Sequence, residues 1–156
     1  MAKPKDTNLS PKITNRRAFF DYFIDQKVEC GLSLSGTEVK SLRHGKGQIN
    51  DAFAKVDRGE LWLYNAYIDP YEQAGPLMQH EPKRPRKLLV KKKEIARLEE
   101  AVRDPGTALI PLNIHWKDGR AKLELGVGRG KKKFDKREDL KKKAADREIR
   151  KAMSRR

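Results

Sequence analysis

The chain has 156 residues, of which 38% are charged, and its formal net charge is +15. This length most simply gives one domain, and the charge favours a phosphate polymer or an anionic membrane surface as the partner. No apolar run reaches even ten residues, and the first residues lack a signal peptide's apolar stretch, so we expect a cytoplasmic protein with no membrane-spanning segment. The single cysteine, Cys30, excludes an internal disulfide and a thiolate metal cluster.

Residues 1–12 are polar and contain Pro4 and Pro11, which predicts a flexible N-terminal arm. In residues 28–34, apolar side chains alternate with polar or small residues, which predicts a half-buried strand with Cys30 in the core. The inward set is Val28, Cys30, Leu32 and Leu34, and the outward set is Glu29, Gly31 and Ser33. Without a neighbouring base, Cys30 is interpreted as a small buried hydrophobe.

The segment GTEVKSLRHG predicts a two-turn helix that begins at Thr37 as its N-cap and ends at Gly45. Val39 and Leu42 would pack inward. Two further segments, AFAKV and ELWLYNAYI, flank Asp57-Arg58-Gly59 and predict a hairpin. A long irregular loop follows, with several prolines and a growing number of basic residues.

The segment RKLLV predicts a short strand in which Leu88 and Val90 share one face and Leu89 points to the other. Apolar residues at helical spacing then predict a longer helix, which Pro105-Gly106 ends. Its apolar positions are Ile95, Leu98, Ala101 and Val102.

Residues 107–127 predict a hairpin around Asp118-Gly119. Pairing Lys117 with Arg120 makes one face entirely apolar, so the pattern predicts its own register. The predicted pairs are Trp116 with Ala121, Ile114 with Leu123, Leu112 with Leu125, and Ile110 with Val127. Pro111 on the other face indicates an edge or a bulge.

These elements predict a mainly β fold: an antiparallel OB-like barrel of about six strands, with one short and one longer helix. A two-layer α+β sheet is the alternative. We expect a flexible arm at 1–12, the barrel at 13–128 and a basic tail at 129–156.

The last 29 residues carry 14 Lys and Arg against 5 Asp and Glu, a net charge of +9. Asp135 and Glu138 are spaced as the N-cap and N3 residues of a helix that runs toward Met153. Because its apolar residues form only a broken stripe, we expect this tail to be disordered when free and helical on a partner. A solvated basic tail with no specific role is the alternative.

The three histidines lie in different elements without metal-ligand spacing, and GVGRGKKK fits neither a P-loop nor GxGxxG. We therefore expect no enzyme activity, no metal and no cofactor. Basic residues of the body could instead meet phosphates, and an OB-type barrel favours RNA over DNA. These candidates are Lys40, Arg43, Lys46, Arg84, Arg86 and Lys87.

The sequence closely resembles the SsrA-binding protein (small protein B) family nearly end to end. The segments that carry the resemblance are NRRAFFDYFI, GTEVKSLRHGKGQINDAF, RPRKLLV, ALIPL and GKKKFDKRE. The resemblance implies an OB-type protein of trans-translation and ribosome rescue, which binds the tRNA-like domain of transfer-messenger RNA (tmRNA, or SsrA RNA). It would deliver that RNA to stalled ribosomes in the position of an anticodon arm.

The resemblance also implies particular site residues. In the body, Asn15, Glu29 and Leu89 would contact RNA. The tail would enter the 16S rRNA decoding centre and the empty mRNA channel through Gly130, Lys131, Lys132, Phe134, Asp135, Lys136 and Arg137. Phe134 stands where the family often has His or Tyr, which leaves base stacking as its physical role.

The implied partners are tmRNA, the ribosome and, indirectly through the charged RNA, elongation factor Tu. We expect a monomer that binds no membrane. A ribosomal protein or general RNA chaperone with an OB-type barrel is the alternative, and it would bind many RNAs with similar affinity. An RNA-processing enzyme would instead show turnover on purified RNA.

Overall fold

A computed structural model of the chain describes residues 10–154, so most of the predicted N-terminal arm lies outside the described residues. The secondary structure, in chain order, is β1 (Ile13–Thr14), α1 (Ala18–Asp21), β2 (Tyr22–Leu32), α2 (Gly36–Arg43), β3 (Gly47–Gln48), β4 (Phe53–Asp57), β5 (Glu60–Tyr64), β6 (Tyr67–Ile68), β7 (Arg86–Leu89), α3 (Lys92–Ala101), β8 (Thr107–Lys117), β9 (Arg120–Gly130) and α4 (Lys133–Ser154).

Six antiparallel strands close into a barrel. The order is β8-β4-β5-β7-β2-β9, and the β8–β9 hairpin returns the sheet to its first strand. The seam between β4 and β8 is narrow, with Ala54 opposite Leu109, whereas β2 and β8 each pair with β9 over most of their length. Closure removes the free sheet edges. It confirms the predicted barrel over the two-layer alternative.

The barrel interior is filled by the alternating apolar residues of its strands. Leu61, Leu63, Leu88, Leu123 and Leu125 are all at most 1% exposed. Cys30 is fully buried among them, and burial raises the pKa of its thiol to about 12. A thiol in this environment stays protonated, which agrees with its predicted role as a small core residue.

The β8–β9 register agrees with the prediction from the turn to Ile114 opposite Leu123. A bulge between Pro111 and Asn113 then shifts the pairing, so that Pro111 lies opposite Leu125 and Leu109 opposite Val127. The predicted pairs for Leu112 and Ile110 are therefore wrong. The side chains of both residues leave the barrel interior and form a second small core with Ala18 of α1. The unpredicted helix α1 covers them, which is why an apolar residue is also favourable on that side.

Helix α2 begins two residues earlier than the sequence indicates. Its N-cap is Ser35, not Thr37, and the Ser35 backbone N–H donates to Glu38 Oε1 at 2.8 Å in a capping box. Thr37 instead bonds His80 Nδ1 at 2.8 Å. The predicted end at Gly45 is confirmed by its φ of +71°, which suits a residue without a Cβ.

The predicted hairpins and the longer helix are confirmed. Arg58 and Gly59 form a two-residue turn with φ angles of 52° and 77°, as a type I′ hairpin requires. Helix α3 places Leu98 fully in the core. No helix within residues 10–154 is long and apolar enough to cross a membrane.

Candidate nucleic-acid interface

The outer face of strands β7, β2, β9 and β8 forms a continuous surface. In one row across the strands, Leu89 lies opposite Gly31, Gly31 opposite Lys122, and Lys122 opposite His115. A neighbouring row contains Glu29, Glu124 and Asn113. We call this face, with Lys117 at its edge, the outer β-face.

Leu89 points outward on this face, as predicted, and is 52% exposed. A Cβ at position 31 would lie 3.1 Å from the Leu89 Cβ, so glycine leaves room for the leucine beside β2. Its neighbour Leu88 is 1% exposed and belongs to the core. Leu89 is thus an apolar group presented to solvent at a position where it adds little to the barrel interior.

Glu29 also points outward and is held by two groups of β8. His115 Nε2 lies 2.8 Å from Glu29 Oε1, and Lys117 Nζ lies 3.5 Å from Oε2. The hydrogen bond from His115, supported by Lys117, holds the pKa of Glu29 below its usual range. An ionised carboxylate only accepts hydrogen bonds. Glu29 therefore presents acceptor oxygens to donors such as base N–H groups or ribose hydroxyls.

Asn15 is buried, at 4% exposed, and its side chain is engaged within the protein. Its Nδ2 donates to the Pro111 carbonyl at 2.9 Å, and its Oδ1 accepts from the Arg17 backbone N–H at 3.2 Å. The bond to Pro111 joins the end of β1 to the bulge of β8, and the bond from Arg17 is local. The predicted RNA contact of Asn15 stays a prediction, since the contacts seen here shape the backbone.

Arg86 does not reach the surface, which corrects its predicted contact with phosphate. It is 0% exposed, and its Nε donates to Glu38 Oε2 at 2.5 Å. Its other nitrogens donate to the carbonyls of Ala66 at 2.6 Å and Pro82 at 2.9 Å. A buried guanidinium needs such acceptors, and no side of this one remains open to RNA.

Arg84 also pairs with Glu38, at 2.6 Å, and its side chain is 36% exposed. Burial is the largest influence on Glu38 and opposes its ionisation. Hydrogen bonds from the Ser35 N–H, Arg84 and Arg86 outweigh that influence and lower its pKa. The carboxylate therefore stays charged inside the protein and joins α2 to Arg86 of β7 and to Arg84 just before it. The predicted contact of Arg84 with phosphate stays a prediction.

The other predicted basic residues lie on different surfaces. Arg43 stacks 4.5 Å above the Trp116 ring and donates to the Gly119 carbonyl at 3.0 Å. Lys40 lies 5.4 Å from the Tyr71 ring centroid. Of the predicted basic residues, only Lys87 shares the outward side of β7 with Leu89, and its Nζ lies 3.3 Å from Glu60 Oε1. Their contacts with phosphate stay predictions.

Sequence reasoning missed His115, Lys117 and Lys122 as members of the outer β-face. The sequence predicts only that these residues lie on the outward side of a hairpin. Their approach to Glu29 depends on the pairing of β2 with β9, which joins segments far apart in the sequence. The hydrogen bond from His115 to Glu29 spans 86 residues. Within residues 10–154, no group of three His, Cys, Asp or Glu side chains is placed to hold a metal ion.

The tail contains the predicted helix, α4, and none of its residues is buried. It begins at Lys133, two residues before the predicted N-cap. Asp135 instead accepts from the Lys132 backbone N–H at 3.3 Å, from inside the first turn. Phe134 is 70% exposed, and Gly130 ends β9 opposite Tyr22.

The first turns of α4 contact α1. Lys131 Nζ, with a side chain 8% exposed, donates to the Phe19 carbonyl at 2.8 Å and to Asp139 Oδ2 at 2.5 Å. Lys136 Nζ lies 3.2 Å from Asp21 Oδ1. The expected disorder of the free tail stays a prediction, whereas the helix itself is present. Contacts with residues more than 100 positions away anchor it, and the tail sequence alone does not reveal them.

The family model described as SmpB protein matches residues 12–155. The SsrA-binding protein of Desulforudis audaxviator (strain MP104C) is 56% identical over 138 residues, covering 88% of this chain and 90% of its relative. The SsrA-binding protein of Carboxydothermus hydrogenoformans (strain ATCC BAA-161 / DSM 6008 / Z-2901) is 53% identical over 139 residues, covering 89% and 93%. A chain of the solved structure "tmRNA-SmpB: a journey to the center of the bacterial ribosome" is 44% identical with a TM-score of 0.67, covering 83% of this chain and 94% of that one. The chain belongs to the SmpB family.

Proposed function

We propose that this chain is the RNA-binding protein of trans-translation. Its barrel binds the tRNA-like domain of tmRNA and delivers it to stalled ribosomes in the position of an anticodon arm. Its C-terminal helix then occupies the decoding centre and the empty mRNA channel. The relatives are named for binding SsrA, and a similar chain was solved in a tmRNA–ribosome study.

The observation that carries this proposal is the separation of two surfaces on one chain. The barrel holds Glu29 and Leu89 on an outer face, where they are exposed without being needed in the core. The 22-residue helix α4 leaves the barrel after β9 with no buried residue and many basic side chains. A rigid body for RNA recognition and a long basic helix suit a protein that binds one RNA and probes another.

Binding by the body should combine phosphate contacts with selective contacts. The chain carries a net charge of +15, so its affinity for RNA should fall as the salt concentration rises. For each phosphate neutralised, log K should drop by about 0.7 to 0.9 per tenfold rise in salt. Glu29 and Leu89 contribute no attraction to phosphate, and they are the groups expected to distinguish one RNA from another. We infer that this protein acts by binding and positioning, without turnover of RNA.

The test compares a tRNA-like RNA of tmRNA with an unrelated hairpin of equal length at physiological salt. Tighter binding of the tRNA-like RNA, retained as salt rises, supports the proposal. Equal binding of both RNAs favours a general RNA chaperone. Cleavage of either RNA by the purified protein would point to a processing enzyme and contradict the proposal.

A further inference from the structure

We propose that His115 is a positioning residue of the outer β-face, which fixes the carboxylate of Glu29 in one orientation for RNA. This inference rests on the proposed function, because it explains how one acceptor on the barrel becomes selective. His115 lies on β8 and Glu29 on β2, with β9 between them. Their hydrogen bond therefore passes over a strand and connects two that are not adjacent.

Both ring nitrogens of His115 face oxygen atoms. Nε2 lies 2.8 Å from Glu29 Oε1, and Nδ1 lies 2.7 Å from Asn113 Oδ1. A neutral imidazole donates from only one nitrogen, whereas the protonated ring donates from both. The protonated form therefore satisfies both oxygens. Asn113 is 7% exposed, so one side of the ring rests on a group fixed in the barrel wall.

The surroundings of His115 and Glu29 contain charges of both signs. From β9, Lys122 lies opposite His115 and Glu124 lies opposite Glu29. From β2, Lys27 pairs with Glu124 at 3.9 Å. Lys117 of β8 lies 3.5 Å from Glu29, and Lys12 precedes Ile13, the β1 partner of Ile114. Protonation of His115 changes its hydrogen bonding here, since only the protonated ring donates from both nitrogens.

A fixed carboxylate is useful for selection. Glu29 has 42% of its side chain exposed, so its oxygens keep lone pairs open to solvent beyond the bonds to His115 and Lys117. An RNA that offers a base N–H or a ribose hydroxyl there gains a charge-assisted hydrogen bond. An RNA that offers a phosphate meets repulsion. Holding the side chain still before binding reduces the entropy lost in the complex.

The experiment measures binding of the tRNA-like RNA to the full-length chain from pH 5.5 to 8. It uses the wild type, His115→Phe, His115→Gln, Glu29→Gln and the double variant Glu29→Gln/His115→Phe. His44→Gln is the matched control, because His44 is an exposed histidine on another surface, bonded to the Lys40 carbonyl. Melting temperatures verify that each variant folds.

We expect His115→Phe and Glu29→Gln each to weaken binding roughly tenfold at pH 6, as for loss of one hydrogen bond to a charged group. The double variant should be no weaker than either single one. His115→Gln should recover part of the loss, because an amide can still donate to Glu29. The wild type and His44→Gln should lose more affinity as pH rises than His115→Phe does.

Two results would overturn the inference. In the first, the losses of binding free energy in the two single variants add in the double variant, which would mean that His115 and Glu29 contact RNA independently. In the second, the affinity of Glu29→Gln for RNA still falls as pH rises, and replacing His115 removes that fall, which would mean that His115 contacts RNA directly. If the wild type itself does not prefer the tRNA-like RNA, the proposed function fails first, and the two failures are thereby distinguished.

Discussion

The Arg86 guanidinium donates to the Glu38 carboxylate at 2.5 Å, and both side chains are 0% exposed. Removing one partner of such a pair leaves an uncompensated buried charge. We therefore expect Glu38→Ala to lower the free energy of unfolding by about 3–5 kcal/mol. Urea denaturation measures this change. The control is Glu60→Ala, which breaks the exposed pair with Lys87 and should cost at most about 1 kcal/mol. Equal costs for the two variants would contradict the account.

The same carboxylate predicts how stability depends on pH. Its pKa in the folded protein is lower than the ordinary value of 4.5, because hydrogen bonds to the charged form outweigh burial. The stability that it contributes is therefore fully present above pH 4.5 and is lost as pH falls through the folded value. The gap in unfolding free energy between the wild type and Glu38→Gln should narrow in that acid range. A gap that widens toward low pH would show the opposite shift.

Leu88 and Leu89 are neighbours with opposite environments, 1% and 52% exposed. We expect Leu89→Ala to weaken binding of the tRNA-like RNA while changing the melting temperature little. Leu88→Ala should cost about 2–5 kcal/mol of stability, because it leaves a cavity in the core. Thermal unfolding and RNA titration of both variants test the pair. A Leu89→Ala variant that is strongly destabilised but binds RNA normally would place this leucine in the core.

Phe134 is 70% exposed at the start of α4. If its ring stacks on a base, Phe134→Ala should impair ribosome rescue more than RNA binding, and Phe134→His or Phe134→Tyr should retain activity. Tagging of a stalled nascent chain measures rescue. Full activity of the alanine variant, with loss in both aromatic replacements, would leave stacking without support.

Local patterns in the sequence predicted the parts of the fold that depend on neighbouring residues. The two-residue turn at Asp118-Gly119 and the alternation around Cys30 are examples, because each depends on dihedral preferences or a two-residue period. Pro111 indicates a bulge in the sequence, but the sequence does not show that the bulge turns the side chains of Leu112 and Ile110 away from the barrel interior. That effect arises from the coverage of this side of β8 by α1, a four-residue helix too short to show a period.

The candidate site was less predictable, because its geometry depends on distant partners. The basic segment around Arg86 predicts that this arginine contacts phosphate, yet it pairs with a carboxylate 48 residues away. Charge alone does not distinguish a surface arginine from one that neutralises a buried acid. The outward directions of Glu29 and Leu89 were predictable, since strand alternation decides them. The contacts of His115 and Lys131 were not.

The end of β9 and the backbone of Lys131 decide where the tail is best removed. Strand β9 continues to Gly130, and the Lys131 backbone N–H donates to the Asp21 carbonyl at 2.8 Å. A chain that ends after Lys132 therefore keeps the whole barrel and loses α4. As no residue of α4 is buried, this truncated chain should fold with nearly unchanged stability.

The most direct test of the account is to compare this truncated chain with the full chain in two assays. Binding to the tRNA-like RNA depends on the barrel, so the truncated chain should still prefer that RNA over an unrelated hairpin, with some loss of non-specific affinity. Tagging on ribosomes stalled without mRNA in the channel depends on α4, so it should disappear. A truncated chain that tags stalled ribosomes at the full rate would contradict the assignment of barrel and tail to separate tasks.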